Sequence, residues 1–168
     1  MKKFELTTEF ITNAFGKKLF RIKALVEFGD VKAGELGGYV EKEENVSQDG
    51  NAWVSGDARV YGNAWVYGDA RVSGDAWVSG NARVSGDALV FGDADYALVQ
   101  GFGTEFRCTT FYRGKDKKIM VNCGCFHGNL EAFRKQAKET RSGKIAKEYL
   151  MIADLMEYHF ASEDSSDE

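Results

Sequence analysis

Residues 51–92 read NAWVSG, DARVYG, NAWVYG, DARVSG, DAWVSG, NARVSG, DALVFG, and the stretch from Asn51 to Ala94 decides the fold. Each block is Asp or Asn, then Ala, a variable residue, Val, a second variable residue and Gly, with no insertion between blocks. A period this strict outranks local propensity. The variable–Val–variable triplet points out, in, out, which makes a short strand. Val54, Val60, Val66, Val72, Val78, Val84 and Val90 then form an inward row. Ala52, Ala58, Ala64, Ala70, Ala76, Ala82 and Ala88 follow each turn, where a small inward residue fits a tight corner. Gly before Asp or Asn is turn chemistry: Gly tolerates unusual backbone angles and the Asx side chain bonds nearby backbone. One such strand cannot bury its valine alone. Three blocks make a triangular coil of about 18 residues, and coils stacked about 4.8 Å apart share a core.

The blocks resemble the hexapeptide repeat of left-handed parallel β-helix proteins, in which an aliphatic inward residue is followed four positions later by a small one. Val54/Ala58, Val60/Ala64 and Val66/Ala70 fit that rule. The flanks GELGGYVEKEENVSQDGNAWV and KIMVNCGCFHGNLEAF are similar to those of phage- and prophage-encoded hexapeptide-repeat proteins. The resemblance implies a mainly β protein: a short left-handed parallel β-helix with an N-terminal β cap and a C-terminal β-hairpin plus two α-helices. It also implies a host-cell setting, with a host protein or defence system as partner.

The outward positions carry the functional reading. The first variable residue runs Trp53, Arg59, Trp65, Arg71, Trp77, Arg83, Leu89, a period of twelve against a coil of eighteen. Trp and Arg therefore alternate up each face: Trp53 on Arg71, Arg59 on Trp77, Trp65 on Arg83. An exposed pair of this kind contributes about 0.5–1 kcal/mol. Tyr61, Tyr67 and Phe91 occupy the second variable position. The ladders can stiffen the stack. They are also interface material, since Trp, Tyr and Arg dominate binding hot spots. These nine residues are the expected contact surface for a homo-oligomer, dimer or trimer, or for a host protein.

Composition narrows the alternatives. At 168 residues the chain is one domain with small appendages. It holds no proline, where average usage would give roughly eight, so Gly and Asx make the turns. Three cysteines without a signal-type N-terminus point to a reducing cytoplasm. No window reaches the roughly 20 apolar residues of a membrane span. The net charge of −4 equals the charge of Glu163, Asp164, Asp167 and Glu168 alone. That balance excludes a general nucleic-acid binder. Arg113, Lys115, Lys117 and Lys118 make a modest basic cluster, read as a solvated hairpin tip.

The expected division is a β cap over 1–32, the repeats over 33–95, a hairpin and two helices over 96–160 and a disordered acidic tail over 161–168. In the cap, Phe4 and Leu6 alternate with charge, and a turn at Asn13–Lys17 precedes a strand with Phe20, Ile22 and Ala24 on one face. Val40 and Val46 precede Ala52 by twelve and six, which puts them in the alanine row of a degenerate first coil with EKEEN looped out. A turn centred on Lys115–Asp116 pairs Phe111 with Met120 and Cys108 with Cys123. Asn129 and Ser142 are the expected helix N-caps. Leu130, Phe133 and Ala137 form one buried stripe, and Ile145, Tyr149, Ile152 and Met156 the other.

Enzymes of the resembling fold use histidine: a base in acyltransferases, three metal ligands in carbonic anhydrases. This chain has only His127 and His159, both outside the repeats in sequence, so neither machinery carries over. Cys108, Cys123, Cys125 and His127 could form a closed structural zinc site if that hairpin register holds. Buried free thiols are the preferred reading. GFGTEF at 101–106 lacks the third glycine of a dinucleotide fingerprint. The reading is a non-enzymatic binding or assembly protein with no cofactor. The alternatives are an acyltransferase-like enzyme with an atypical site, and a small-molecule-sequestering protein with pockets at subunit junctions.

Overall fold

The computed structural model describes residues 1–92, 95–105 and 107–161. The acidic tail expected to be disordered falls, from residue 162 on, outside the described residues. The chain is mainly β, with two helices at its C-terminal end. It opens with β1 (Phe4–Thr12), β2 (Lys18–Ala24) and β3 (Leu36–Val40). The repeats supply β4 (Trp53–Val54), β5 (Arg59–Val60), β6 (Trp65–Val66), β7 (Arg71–Val72), β8 (Trp77–Val78), β9 (Arg83–Val84) and β10 (Leu89–Val90).

Each repeat strand pairs in parallel with the strand three blocks on. Trp53 faces Arg71, Arg71 faces Leu89, Arg59 faces Trp77 and Trp65 faces Arg83. The offset is 18 residues, as the period predicts. The Arg59 N–H donates to Ala76 O at 2.9 Å and the Tyr61 N–H to Val78 O at 3.0 Å. All seven valines are fully buried and the seven alanines are at most 1% exposed. Burying a valine contributes on the order of 1.5–3 kcal/mol, so this inward row is the main stabiliser. The corners need glycine. Gly74 sits at φ +63°, and a Cβ there would run into the Phe91 carbonyl of the next rung.

The strands do not close into a single sheet. Among the described residues they form β1-β2-β3-β5-β8, β4-β7-β10 and β6-β9, with a separate C-terminal sheet. The first is mixed: β1–β2 and β2–β3 are antiparallel, and β3–β5 is parallel. The N-terminal hairpin therefore continues a face of the repeats and covers its raw edge. The turn at Asn13–Lys17 forms as expected, with the Asn13 N–H donating to Lys17 O at 2.9 Å.

Two expectations near the first rung fail. Val40 pairs with Val60 and Val46 bridges to Val66. Both belong to the valine row, at an offset of 20 rather than 18. The two extra residues lie after Val46, in SQDG, whose Gln48 side chain reaches the cap: it accepts from the Lys3 N–H at 2.7 Å and donates to Phe4 O at 3.2 Å. EKEEN is not looped out. Glu43–Asn45 is a 3-10 turn that carries buried Asn45 inward, where Nδ2 donates to Ala64 O at 2.9 Å and Gly62 O at 3.2 Å. Lys3 plays the same part at another corner, donating from Nζ to Ala52 O at 2.8 Å and Gly50 O at 3.2 Å. Carbonyls left without a strand before them are thus met by side-chain donors, as buried backbone groups must be. Burial pulls the Lys3 ammonium down to about 8, with Arg71 adding to the effect and Asp49 opposing it.

Beyond the repeats, β11 (Tyr96–Phe102), β12 (Arg107–Arg113), β13 (Ile119–Cys123) and β14 (Phe126–Asn129) form an antiparallel meander, followed by α1 (Leu130–Thr140) and α2 (Gly143–Phe160). The expected hairpin is its β12–β13 pair. The register is one residue from the expected one: Phe111 faces Val121, Tyr112 faces Met120 and Thr109 faces Cys123. The cause is loop length. Gly114 N–H bonds Lys118 O at 2.8 Å, so three residues, not two, turn the chain, and Lys117 takes the left-handed conformation at φ 65°. One sheet face, with Tyr112 and Met120, packs on the repeats. The other, with Phe111 and Val121, packs on Leu130, Phe133, Ala137, Tyr149, Ile152 and Met156. Asn129 caps α1, accepting the Ala132 N–H at 2.8 Å. Ser142 sits at the N-cap of α2 without a side-chain capping bond.

Candidate functional site

The outward ladders form in the expected register but divide into three different fates. Trp53 is 1% exposed, so it is not a contact residue. Phe4 and Phe28 of the N-terminal region meet it edge-on, with ring centroids 6.2 and 5.3 Å away. Its expected partner, Arg71, turns instead to an ion pair with Asp30. The sequence period treats the three tryptophans as equivalent. They are not, because the cap lies over the first.

On the second face the ladder is longer than the repeats reveal. Arg21 pairs with Tyr39, Tyr39 with Arg59 and Arg59 with Trp77, across three adjacent strand pairs. The Arg21 guanidinium lies 4.9 Å from the Tyr39 ring centre and that of Arg59 lies 4.7 Å from Trp77. Nε of both arginines is buried without a hydrogen-bond partner, as suits a planar cation packed among rings. Arg21 and Tyr39 lie outside the blocks, so the period could not find them, although Tyr39 precedes Val40 as Arg59 precedes Val60. At the far end Tyr61, Trp77, Tyr96 and Leu98 line a shallow depression. The Tyr96 hydroxyl donates to the Trp77 carbonyl.

On the third face Trp65 stacks on Tyr67, centroids 4.0 Å apart and 23° between planes. Arg83 reaches over Trp65 at 6.0 Å, the outer limit of a cation–π contact. Trp65 and Trp77 are 38% and 43% exposed. Phe91, on the face of Trp53, is also exposed, at the end away from the cap. Tyr61 and Tyr67 are half-buried.

The cysteine and histidine residues do not converge. With the shifted register Thr109, not Cys108, faces Cys123, and its hydroxyl donates to Cys123 Sγ at 3.1 Å. Cys108 lies on the repeat side of the sheet, Cys123 on the helix side, and exposed Cys125 in the two-residue turn between β13 and β14. No metal-ligand group of three or more side chains forms among the described residues. Burial pushes the Cys108 thiol above its ordinary value.

His127 joins a different set. Its ring comes against Gly86 of the repeats, and its Nε2 lies 2.9 Å from the Tyr112 hydroxyl. That hydroxyl is 3.3 Å from Ser85 Oγ, which accepts from Asn122 Nδ2 at 3.0 Å. Asn122 also donates to Arg83 O at 2.9 Å, and the Arg83 N–H donates to Thr110 Oγ1 at 3.0 Å. Burial pushes the Tyr112 phenol up to about 12, opposed by its bond to Ser85. This polar seam docks the C-terminal sheet on the last rungs. His159 stands apart, ring against Phe160. In the basic cluster, Arg113 is committed to Asp95 at 3.0 Å and the Phe160 carbonyl at 2.8 Å, while the three lysines are exposed at the turn. Among the described residues no helix is long and apolar enough to cross a membrane.

No curated protein matches the chain. Within the repeats, at residues 52–68 and 64–80, it is similar to the family described as the YdcK beta solenoid repeat.

Proposed function

We propose that the chain is a non-enzymatic binding or assembly protein of phage or prophage type. In this reading its repeats wind as a left-handed parallel β-helix, and it associates with itself and with a host macromolecule through the outward aromatic–arginine faces. The winding is supported by the uniform 18-residue parallel offset and by the solenoid-repeat similarity. One observation carries the interface. The chain covers Trp53 with its own cap but leaves Trp65 and Trp77 exposed beside Arg83 and Arg59. Indole rings already packed against a neighbour, Trp77 on Arg59 and Trp65 on Tyr67, lose little side-chain freedom on binding, which is what a hot spot requires. Acyl transfer at His127 is less favoured, because its Nε2 is already engaged by Tyr112.

The test is W65S/W77S, with Trp53 left intact. Circular dichroism should stay that of the wild type, while sedimentation velocity shows a loss of oligomer or affinity capture loses a host protein. A folded variant with unchanged mass and unchanged capture would refute the reading. It would move the search to the outward stripe of α2, where Met151, Leu155 and Tyr158 are exposed.

A further inference from the structure

A second concavity lies on the opposite side of the C-terminal sheet, within one chain and away from the aromatic ladders. It measures about 150 Å³ and opens between the sheet, α1 and α2. Its floor is apolar and aromatic. Phe133 stands perpendicular to Tyr149 with centroids 5.7 Å apart, and Phe126 is 5.9 Å from Phe133. Ala137 completes the floor and Cys123 one wall. The rim carries Arg107 from β12 and Arg141 from the end of α1.

Two glycines make room for this arrangement. A Cβ at Gly103, which sits at φ +78°, would collide with the Tyr149 hydroxyl, and one at Gly124, at φ +59°, would collide with the Arg107 guanidinium. The left-handed backbone at both points is compatible with glycine and costly for other residues. Burial pushes the Tyr149 phenol above its ordinary value, so it remains a neutral hydroxyl near 3.5 Å from the Phe102 carbonyl.

Size and charge define the ligand. Thr104, Gln136 and Thr140 also line the opening, and the volume over the aromatic floor has room for about one six-membered ring. At the rim Arg107 is paired with Glu105, whereas Arg141 takes part in none of the ion pairs found among the described residues. Two guanidinium groups and one carboxylate leave a single positive charge, which matches a monoanion better than a dianionic phosphate. Guanidinium and carboxylate are complementary planar groups. We infer that this cavity binds a monocyclic carboxylate, its ring against Phe126, Phe133 and Tyr149 and its carboxylate on Arg141 and Arg107.

The probe is benzoate, with benzamide as its neutral counterpart, titrated into the full chain and followed by amide proton–nitrogen NMR. Benzoate should give saturable shifts confined to the cavity, and benzamide should bind roughly tenfold more weakly, the loss expected for one charged hydrogen bond. R141Q, at an exposed position, should keep the wild-type spectrum elsewhere and lose the preference for benzoate. W65S/W77S should bind benzoate as the wild type does, which separates this site from the ladder interface. The inference is overturned by the absence of saturable shifts at millimolar benzoate, by equal affinity for the two probes, or by an unchanged preference in R141Q.

Discussion

Replacing Trp53 with alanine and, separately, Trp77 with alanine makes the same chemical change at two positions that the repeat treats alike. Trp53 is 1% exposed and packed by Phe4 and Phe28. Removing a buried indole costs about 3–5 kcal/mol, from lost transfer energy and the cavity left behind. Trp77 is 43% exposed. Its loss removes the contact with Arg59, about 0.5–1 kcal/mol, and part of a surface packing contact, so the total should stay below about 2 kcal/mol. With a urea slope of about 2 kcal/mol per molar, W53A should lower the unfolding midpoint by about 1.5–2.5 M and W77A by less than about 1 M. Far-UV circular dichroism measures both, because the cap and the repeats share one core. Equal midpoints would refute the claim that the cap covers Trp53 and leaves Trp77 open.

Lys3 supplies a pH test. Its folded pKa of about 8 lies below the ordinary 10.5, so the unfolded chain binds more protons between those values and stability rises with pH across that window. The wild type should gain on K3M between about pH 8 and 10.5 in thermal melts; parallel curves would refute the burial of that ammonium. G74A should destabilise more than G16A. Both glycines have positive φ, but a Cβ at Gly16 meets nothing within 4 Å while one at Gly74 strikes the next rung; equal melting temperatures would refute this. A thiol reagent should label exposed Cys125 first and the partly buried Cys108 and Cys123 more slowly, and chelators should leave the labelling order unchanged. Simultaneous labelling of all three, or an order changed by chelation, would contradict the split across the sheet.

The sequence by itself determined everything that repeats. Seven identical inward valines, seven small residues and seven glycines leave one economical way to bury the apolar row, and its offset of 18 follows from three blocks per turn. That offset also set which tryptophan stands beside which arginine in the ladder, since pairing along parallel strands is a counting problem, although Arg71 then turns to Asp30 rather than to Trp53. Helix stripes and the Asn129 cap were legible for the same reason: local period and local hydrogen bonding decide them. Counting stopped where the period stopped. Two residues added in SQDG moved Val40 and Val46 into the valine row, and one residue in the Lys115–Lys117 turn moved Cys108 off Cys123. In a strand a shift of one residue sends a side chain to the other face, so the cysteine cluster dissolved on a single turn. Only the tertiary structure decided which outward residues remain outward. The cap that buries Trp53, the Arg21–Tyr39 extension of the ladder, and the Arg107–Arg141 cavity each join segments far apart in the chain. No local pattern records such a contact, because its energy comes from surfaces that meet only once the chain has folded.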